Sequence, residues 1–147
     1  MIGRERKQLR LANYDYSSEG AYFVTVCVEN RAKLFENNSA KAMIEKWFFE
    51  IENKFDNVTV DYYVVMKDHI HFIIFINKKN ETNLYAILKW FKTMTTNEYI
   101  RGVRDGKYEP FEKKFWQRGY YEHIIRNDED LTEKREYIIN NPLKENA

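Results

Sequence analysis

The pattern of apolar and polar positions predicts seven elements, in the order strand, helix, strand, strand, helix, strand, helix. Runs rich in β-branched and aromatic residues indicate strands, and these runs are 21–28, 58–66, 69–76 and 116–125. Apolar residues at helical spacing predict a helix that follows an N-cap in the Asn-Asn-Ser sequence 37–39 and ends near Phe55. A second helix begins after Asn83, with Leu84, Ile87, Leu88, Phe91 and Thr95 on its inward face.

The remaining segments complete this outline. Residues 1–19 are charged and show no sustained period, so they are expected to form an N-terminal arm. Residues 101–115 contain Gly102, Gly106 and Pro110 and are expected to form a loop, after which the strand 116–125 is kinked at its glycine. A last helix is expected to begin at Asn127 or Asp128 and to stop at Pro142.

The first six elements match the ferredoxin-like βαββαβ pattern. The second and third strands along the chain are expected to form an antiparallel hairpin. The chain has 147 residues, a length typical of one domain with one hydrophobic core. No internal repeat or interdomain linker interrupts it. We therefore expect one α+β domain over 1–147, with an antiparallel sheet and an added C-terminal helix.

Composition indicates the class of protein and the compartment in which we expect it. Hydrophobic residues make up 44% and charged residues 32%, which is typical of a globular protein. No apolar run approaches the ~20 residues that span a bilayer, and no apolar segment follows the charged start. Cys27 stands alone in an apolar run, which fits a small buried side chain in a reducing compartment. A cytoplasmic protein without a membrane partner is expected.

The distribution of charge is compatible with nucleic-acid binding, although the net charge is only +1. Aromatic residues make up 16% of the chain, and many of them lie near clusters of basic residues. Such clusters either form solvated surface or bind a phosphate backbone with bases stacked beside it. The candidate DNA-binding cations are Arg4, Arg6, Lys7, Arg10, Lys89, Lys92, Arg118 and Arg126.

Two of the three histidines lie one residue apart in the third strand, in the sequence Asp68-His69-Ile70-His71. Alternate side chains of a strand leave the same face, so His69 and His71 point to the same side of the sheet. Two such imidazoles can share a divalent metal when another element supplies a third ligand. An isolated His-x-His more commonly means two polar residues on a half-exposed strand, so the pair needs a partner elsewhere.

The last helix offers that partner in Tyr137. The side chains expected to face the core cluster within roughly 100° on a helical wheel, and they are Leu131, Arg135, Ile138 and Ile139. Tyr137 falls on the polar side, where it is either a partly exposed surface aromatic or a phenolic nucleophile held on a rigid element. Asn141 lies one turn later, where it either reaches the same site or caps the helix before Pro142.

With these features the chain resembles the HUH single-tyrosine transposases, and most closely the REP-associated tyrosine transposases with their IS200-like domain. The resemblance covers nearly the whole chain, and the segments that carry it are 20–26, 68–71, 116–127 and 135–142. The first and third segments are mainly signatures of the fold. The specific part is the combination of His-hydrophobic-His with a helical tyrosine that is followed by Asn-Pro.

The resemblance implies a role for each of these residues. Tyr137 would be the nucleophile, His69 and His71 would be metal ligands, and Asn141 would supply a third polar ligand for Mg²⁺ or Mn²⁺. The implied activity is a metal-dependent single-stranded DNA endonuclease and strand transferase. Such an enzyme cuts beside a hairpin or palindromic repeat, holds the 5′ end as a phosphotyrosine, and rejoins it in DNA transposition or recombination. A homodimer is left open, with each tyrosine helix serving its own histidines or those of a second copy.

Three other side chains lie near the expected site. Asp68 and Glu122 are acids that could orient a histidine from outside the ligand set. His123 shares a strand face with Tyr121 and is either a structural histidine with a satisfied ring or a contact to DNA or metal.

Two further functions fit parts of the pattern. One is a non-catalytic module that binds single-stranded nucleic acid on a ferredoxin-like sheet. The other is a small metal hydrolase. Neither needs a tyrosine on the polar face of the last helix.

Overall fold

The computed structural model describes residues 20–77 and 82–146, and of 144–146 it describes the backbone alone. The four strands are β1 (Gly20–Cys27), β2 (Val58–Val65), β3 (His69–Ile76) and β4 (Tyr121–Ile125). The three helices are α1 (Asn38–Lys54), α2 (Leu84–Arg104) and α3 (Asp128–Asn146). The strands form one antiparallel sheet in the order β2-β3-β1-β4, which confirms the predicted α+β fold. The expected arm at 1–19, with its four cations, lies outside the described residues.

Each face of the sheet is covered by a different set of helices. On one face, β1 and β3 bury Val24, Ile70 and Phe72 with residues of α1 and α2 in the main core. On the other face, Phe23 and Ile73 form a smaller cluster with residues of α3 that include Leu131 and Ile138. Because neighbouring residues of a strand point to opposite faces, His69 and His71 lie on the α3 side with Ile73.

The predicted N-caps of all three helices are confirmed. The side-chain oxygen of Asn37 accepts a hydrogen bond from the backbone of Ala40 at 3.0 Å. Asn83 accepts one from Ala86 at 2.9 Å, and Asn127 accepts one from Asp130 at 2.8 Å. Each bond satisfies a backbone N–H that has no partner within the first turn of its helix. The inward stripe predicted for α2 is also buried throughout.

The structure corrects the predicted loop at 101–115, because α2 continues to Arg104. Gly102 signals a loop in the sequence, but here it lets the helix pass under the ring of Tyr108, where a Cβ atom would overlap. Arg101 and Arg104 lie in the last turn, where cations favour the carboxyl end of a helix. With 21 residues α2 is the longest described helix, yet neither it nor any other in the described ranges is apolar enough to cross a membrane.

The predicted strand at 116–125 is also shorter than expected. Trp116 makes an isolated antiparallel bridge to Val28, and the chain joins the sheet again only at Tyr121. Between them Gly119 has a φ of +77°, a left-handed conformation that breaks the pairing of an extended strand. The predicted kink at this glycine is therefore a complete interruption of the strand.

The prediction that α3 stops at Pro142 is wrong, because the helix runs through the proline to its last described residue. Proline removes one backbone donor, and this loss falls in the last turns, where few hydrogen bonds follow it. Asn141 therefore lies inside the helix and does not cap it. The wheel also placed Ile139 toward the core, but its side chain is 42% exposed.

A bulge in β2 changes which of its side chains point toward α3. Val60 pairs with Ile74 and Tyr63 pairs with Phe72, so β2 has one residue more than β3 between the two pairs. Val60 and Tyr63 both point into the main core. The extra residue leaves Asp61 on the side of α3, beside the ring of Tyr62.

Candidate active site

The histidine pair lies at the start of β3, on the face covered by α3. His69 pairs with Cys27 of β1 and His71 pairs with Thr25, so β1 holds both residues in register. Their ring centroids are 4.7 Å apart and the rings are nearly perpendicular. The prediction that both imidazoles leave the same face of one strand is confirmed.

His71 is buried with one ring nitrogen left unpaired. Its side chain stacks on Phe23 with centroids 5.3 Å apart, and its Nδ1 atom lies 2.8 Å from the hydroxyl oxygen of Thr25. Its Nε2 atom has no hydrogen-bond partner among the described residues. Burial, followed by the charges of His69 and Arg31, lowers the pKa of His71 to about 3. The ring is therefore neutral, and in the tautomer whose Nδ1 donates to Thr25 the Nε2 atom carries a buried lone pair, the form of imidazole that binds a metal.

His69 is oriented by a neighbouring carboxylate and a guanidinium group. Its Nδ1 atom lies 2.6 Å from Asp68, and Arg31 donates to the same carboxylate at 3.1 and 3.3 Å. Burial alone would raise the pKa of Asp68, but the hydrogen bonds from His69 and Arg31 lower it below its usual value. Because the bond to Asp68 uses Nδ1, the Nε2 atom of His69 is left as the candidate ligand atom.

The turn that carries Arg31 is strained. Asn30 and Arg31 have φ values of +57° and +55°, a left-handed conformation that costs on the order of 1 kcal/mol for residues other than glycine. Such strain concentrates at functional sites, where surrounding contacts hold it in place. The ion pair with Asp68 is one of those contacts, so the turn and the histidine strand fix each other.

Tyr137 of α3 lies directly against the histidine pair. Its ring centroid is 5.3 Å from that of His71 and 5.7 Å from that of Phe23, with an edge-to-face geometry in both pairs. Tyr137 is 41% exposed, and its ring rests on the sheet against these two rings. The helix and the strand belong to the same chain.

Asn141 lies one turn after Tyr137 and faces the sheet with 7% of its surface exposed. Its side-chain nitrogen donates to the backbone oxygen of Tyr137 at 2.9 Å. This bond fixes the rotation of the amide, whose oxygen is the atom suited to a hard cation. The structure thus brings both histidines and the tyrosine into contact, and it ties Asn141 to the backbone of Tyr137 one turn away.

A buried ion pair docks α3 on the sheet, and sequence reasoning missed it. Arg135 donates to both carboxylate oxygens of Asp61, at 2.7 and 3.0 Å, and its guanidinium lies over the ring of Tyr62. Asp61 is only 1% exposed. The signal in the sequence was a lone carboxylate in the apolar run 58–66, together with an arginine on the inward stripe of the last helix.

The structure separates the remaining candidates. Asp68 contacts His69, as described above. Glu122 pairs with Val24 and so belongs to the opposite face of the sheet, which rules it out as an orienting group for the histidines. The Nε2 atom of His123 lies 2.7 Å from Asp130 of α3, so this ring is satisfied within the protein.

The candidate ligands fit a divalent cation only with an amide in the set. No cluster of three His, Cys, Asp or Glu side chains with metal-binding geometry occurs within 20–77 and 82–146. The buried, unpaired nitrogen of His71 is the observation that favours a metal, because such an atom is otherwise costly. His69, His71 and Asn141 would supply two nitrogens and one oxygen, and substrate oxygens would complete the set.

The candidate DNA-binding cations fall into different regions. Lys89 and Lys92 of α2 line a groove of about 800 Å³ together with Arg118. Arg126 is exposed just after β4. The four N-terminal cations lie outside the part of the chain that the structure describes.

The chain matches a known protein family and two related bacterial proteins. The family model for transposase IS200-like proteins matches residues 16–141. An uncharacterised protein of Haemophilus influenzae is 32% identical, with 94% of this chain and 88% of that protein covered. A second H. influenzae protein, assigned as a REP-associated tyrosine transposase, is 27% identical, with 91% of this chain and 77% of that protein covered.

Two solved structures share the fold. A REP-associated tyrosine transposase bound to a REP hairpin superposes with a TM-score of 0.70 at 22% identity, over 90% of this chain and 72% of the other. A transposase structure from Deinococcus radiodurans gives a TM-score of 0.60 at 14% identity, over 93% of this chain and 97% of the other. The family match covers most of the chain, including both histidines, Tyr137 and Asn141, and the chain therefore belongs to the IS200-like transposase family.

Proposed function

We propose that this transposase-family protein is a metal-dependent endonuclease and strand transferase that acts on single-stranded DNA through Tyr137. The observation that supports this most is the contact between Tyr137 and His71, whose buried Nε2 atom is unpaired. The result is a partly exposed phenol beside the neutral imidazole of His71. It suits an enzyme that attacks phosphorus with a tyrosine oxygen.

The proposed reaction exchanges one phosphodiester for another. The Tyr137 oxygen attacks the scissile phosphorus and loses its proton, and the bond from phosphorus to the 3′ oxygen breaks. The products are a 5′-phosphotyrosine and a free 3′ hydroxyl. Attack by the 3′ hydroxyl of another strand reverses the exchange and restores the tyrosine, so the bond energy is kept and no nucleotide cofactor is needed.

The side chains around Tyr137 have distinct tasks in this proposal. His69 and His71, with Asn141, would hold Mg²⁺ or Mn²⁺, which when bound withdraws charge from the phosphate oxygens. Phe23 and His71 support the tyrosine ring and fix its distance from the sheet. Asp68 fixes the ring orientation of His69. Asn141 ties its own amide to the turn that carries the nucleophile.

The proposed substrate is single-stranded DNA with a hairpin or palindromic repeat, in transposition or recombination. Support comes from the structural relative of the same fold that was solved with a REP hairpin. The exposed side chains of Lys89 in α2 and of Arg118 in the connection before β4 would contact phosphates, whereas Lys92 is half-buried and donates to the backbone of that connection. The N-terminal cations Arg4, Arg6, Lys7 and Arg10 are proposed to add to this contact.

The decisive experiment detects the covalent intermediate. The protein is mixed with labelled single strands that contain a hairpin, in Mg²⁺ or Mn²⁺, and an SDS-resistant protein–DNA adduct is sought. We expect an adduct from the wild type and none from Tyr137→Phe. Tyr121→Phe is the control, because Tyr121 is an exposed tyrosine on the same face of the sheet. An equal adduct yield from Tyr137→Phe would contradict the proposal.

Metal dependence is tested in the same assay. Adduct formation should be lost with EDTA and with His69→Ala, while the variant still binds the DNA in a gel shift. DNA binding without an adduct over a broad pool of hairpins would favour the non-catalytic binding module.

A further inference from the structure

A long groove lies beside α2, the helix that packs on the face of the sheet opposite the histidines. One wall is the stretch of α2 from Tyr85 to Ile100, and the other is the connection from Phe111 to Tyr120. At 1.5 Å per residue, that stretch of helix is about 22 Å long. With a volume of about 800 Å³, the groove can take several nucleotides but cannot enclose a duplex.

The lining of the groove combines a basic rim with an apolar floor. Among the described residues that line it there is no carboxylate, and the cations are Lys89, Lys92, Lys113, Lys114 and Arg118. The floor side chains that a ligand can reach are Ile100, Phe111 and Tyr120, whereas Leu88, Phe115 and Trp116 behind them are at most 5% exposed. Tyr85, which is 63% exposed, stands at the rim. Phosphate groups match such a rim, and unpaired bases match such a floor.

Hydrogen bonds between the two walls fix the shape of the groove. The Lys92 ammonium donates to the backbone oxygens of Gln117 at 2.9 Å and Gly119 at 2.6 Å. The indole nitrogen of Trp116 donates to the hydroxyl of Thr95 at 2.9 Å. These bonds fix the connection on the helix, so a ligand would meet a site that is already formed.

Lys113 lies on the rim in an unusual backbone conformation. Its φ is +56°, a left-handed conformation that is unfavourable for lysine and that glycine adopts freely. The side chain is exposed on the rim of the groove. The conformation belongs to a tight turn in which the backbone N–H of Lys114 donates to the backbone oxygen of Glu112, and this turn places the lysine on the rim.

The groove and the histidine pair share one end of the sheet. The backbone of Gln117, in the wall, donates to Cys27 of β1 at 2.8 Å, and Cys27 pairs with His69. Neighbouring strands lie about 4.8 Å apart, so the wall is about 10 Å from the histidine strand. One DNA strand can therefore pass from the candidate active site over the edge of the sheet into the groove.

We propose that the groove binds unpaired nucleotides of the same DNA strand that is cut at Tyr137. Bases stack on its aromatic floor and phosphates lie along its lysine rim. A duplex would contact the cations alone, because its bases are already paired and stacked, and the apolar floor would have no ligand. This inference rests on the proposed function for the identity of the strand.

The first test compares two DNA probes by fluorescence anisotropy at several salt concentrations. One probe is a hairpin with a single-stranded extension, and the other is a blunt hairpin with the same number of nucleotides. Lys113→Gln should weaken binding of the extended probe and lower its salt slope by about 0.7, the contribution of one phosphate contact in single strands. Lys54→Gln, an exposed lysine on α1, is the matched control and should bind like the wild type.

Two further variants separate binding from folding and from charge. Lys113→Gly should retain the thermal stability of the wild type, because glycine suits the left-handed backbone, and still lose affinity for the extension. Tyr85→Ser should weaken binding of the extended probe about fivefold or more through lost stacking. Phe49→Ser, which removes an aromatic that is 43% exposed on α1, serves as the control. A 2-aminopurine base in the extension should be quenched by the wild type and less by Tyr85→Ser.

The outcomes distinguish the groove from the catalytic proposal. If the wild type forms the Tyr137 adduct but the groove variants bind the extension normally, the groove inference is wrong and the catalytic proposal stands. If the extension binds through the groove but no adduct forms, the catalytic proposal fails and the groove remains a single-strand site. Equal weakening of blunt and extended probes would assign the groove to hairpin phosphates and overturn the inference.

Discussion

At the residue scale, the burial of His71 makes the stability of the protein depend on pH. Burial keeps its ring neutral in the folded protein, with a pKa of about 3, whereas in the unfolded chain the ring takes a proton near its ordinary value of 6.5. The unfolded state therefore binds more protons between these values, so stability is full above pH 6.5 and falls as the pH drops toward 3.

This shift predicts the pH dependence of unfolding. At about 1.4 kcal/mol per pH unit, the metal-free protein should lose about 2 kcal/mol of unfolding free energy between pH 6.5 and pH 5. His71→Gln should remove most of this loss, whatever its own stability at pH 7. Urea unfolding at the two pH values in EDTA measures the difference. An unchanged loss in His71→Gln would show that the cause lies elsewhere.

Asp68 acts on the site through His69, and this role can be measured without catalysis. Replacing Asp68 by Asn keeps the size of the side chain but removes the charge that holds the Nδ1 proton. We expect Mn²⁺ affinity to fall about 10- to 100-fold, as for other groups that orient a metal-binding histidine. Mn²⁺ titration followed by electron paramagnetic resonance gives the constants.

Glu122→Gln is the control for this measurement. It changes an acid that lies on the other face of the sheet, so it should leave Mn²⁺ affinity unchanged. A similar loss in both variants would mean that net charge, and not the bond to His69, controls affinity.

At the scale of elements, the position of Tyr137 depends on how α3 docks. Leu131 and Ile138 supply the apolar contact, and the pair between Arg135 and Asp61 fixes the rotation of the helix. A buried carboxylate that loses its arginine is strongly destabilising. Arg135→Gln should therefore lower the unfolding free energy by about 3 kcal/mol or more.

Lys134→Gln is the matched control on the same helix. Lys134 pairs with Asp130 four residues away, and Asp130 keeps its bond to His123 when the lysine is replaced, so the loss should be about 1 kcal/mol or less. Urea denaturation of the two variants at pH 7 makes the comparison. Equal effects would mean that the apolar contacts alone hold α3 in place.

The elements also show which signals the sequence carries. Asn37, Asn83 and Asn127 could be identified as caps because a cap depends on only three or four consecutive residues. Gly102 could not be assigned to a helix, because the reason for it is the ring of Tyr108, which packs on it from the following loop. The prediction from Pro142 was wrong for a similar reason. The expectation that proline ends a helix uses local sequence alone, and it ignores the packing of the helix on the sheet.

At the scale of the whole molecule, the candidate site was predictable in its residues but not in its geometry. The alternation of β3 placed His69 and His71 on one face, and the wheel of the last helix separated Tyr137 from Leu131 and Ile138. The ion pair that joins α3 to β2 depends on a bulge, and the groove depends on a connection that leaves the sheet. Neither follows from periodicity, because both arise from contacts between distant segments.

The proposed catalytic site and the proposed DNA-binding groove lie on opposite faces of the sheet. The face under α3 carries the proposed nucleophile and the proposed metal ligands, and α2 on the other side lines the groove. β1 lies between them and pairs with both the histidine strand and β4. Variants of the groove should therefore change DNA affinity, whereas variants of the α3 face should change the chemical step.

The same architecture predicts a site completed within one chain. Tyr137 lies against the His71 of its own sheet, and the Arg135–Asp61 pair secures that arrangement inside the chain. Mixing Tyr137→Phe with His69→Ala, each inactive alone, should then give no adduct. If two copies exchanged their last helices, the intact tyrosine of one variant would meet the intact histidines of the other, and adduct would appear on the His69→Ala chain. A size tag on one variant identifies the labelled chain on the gel.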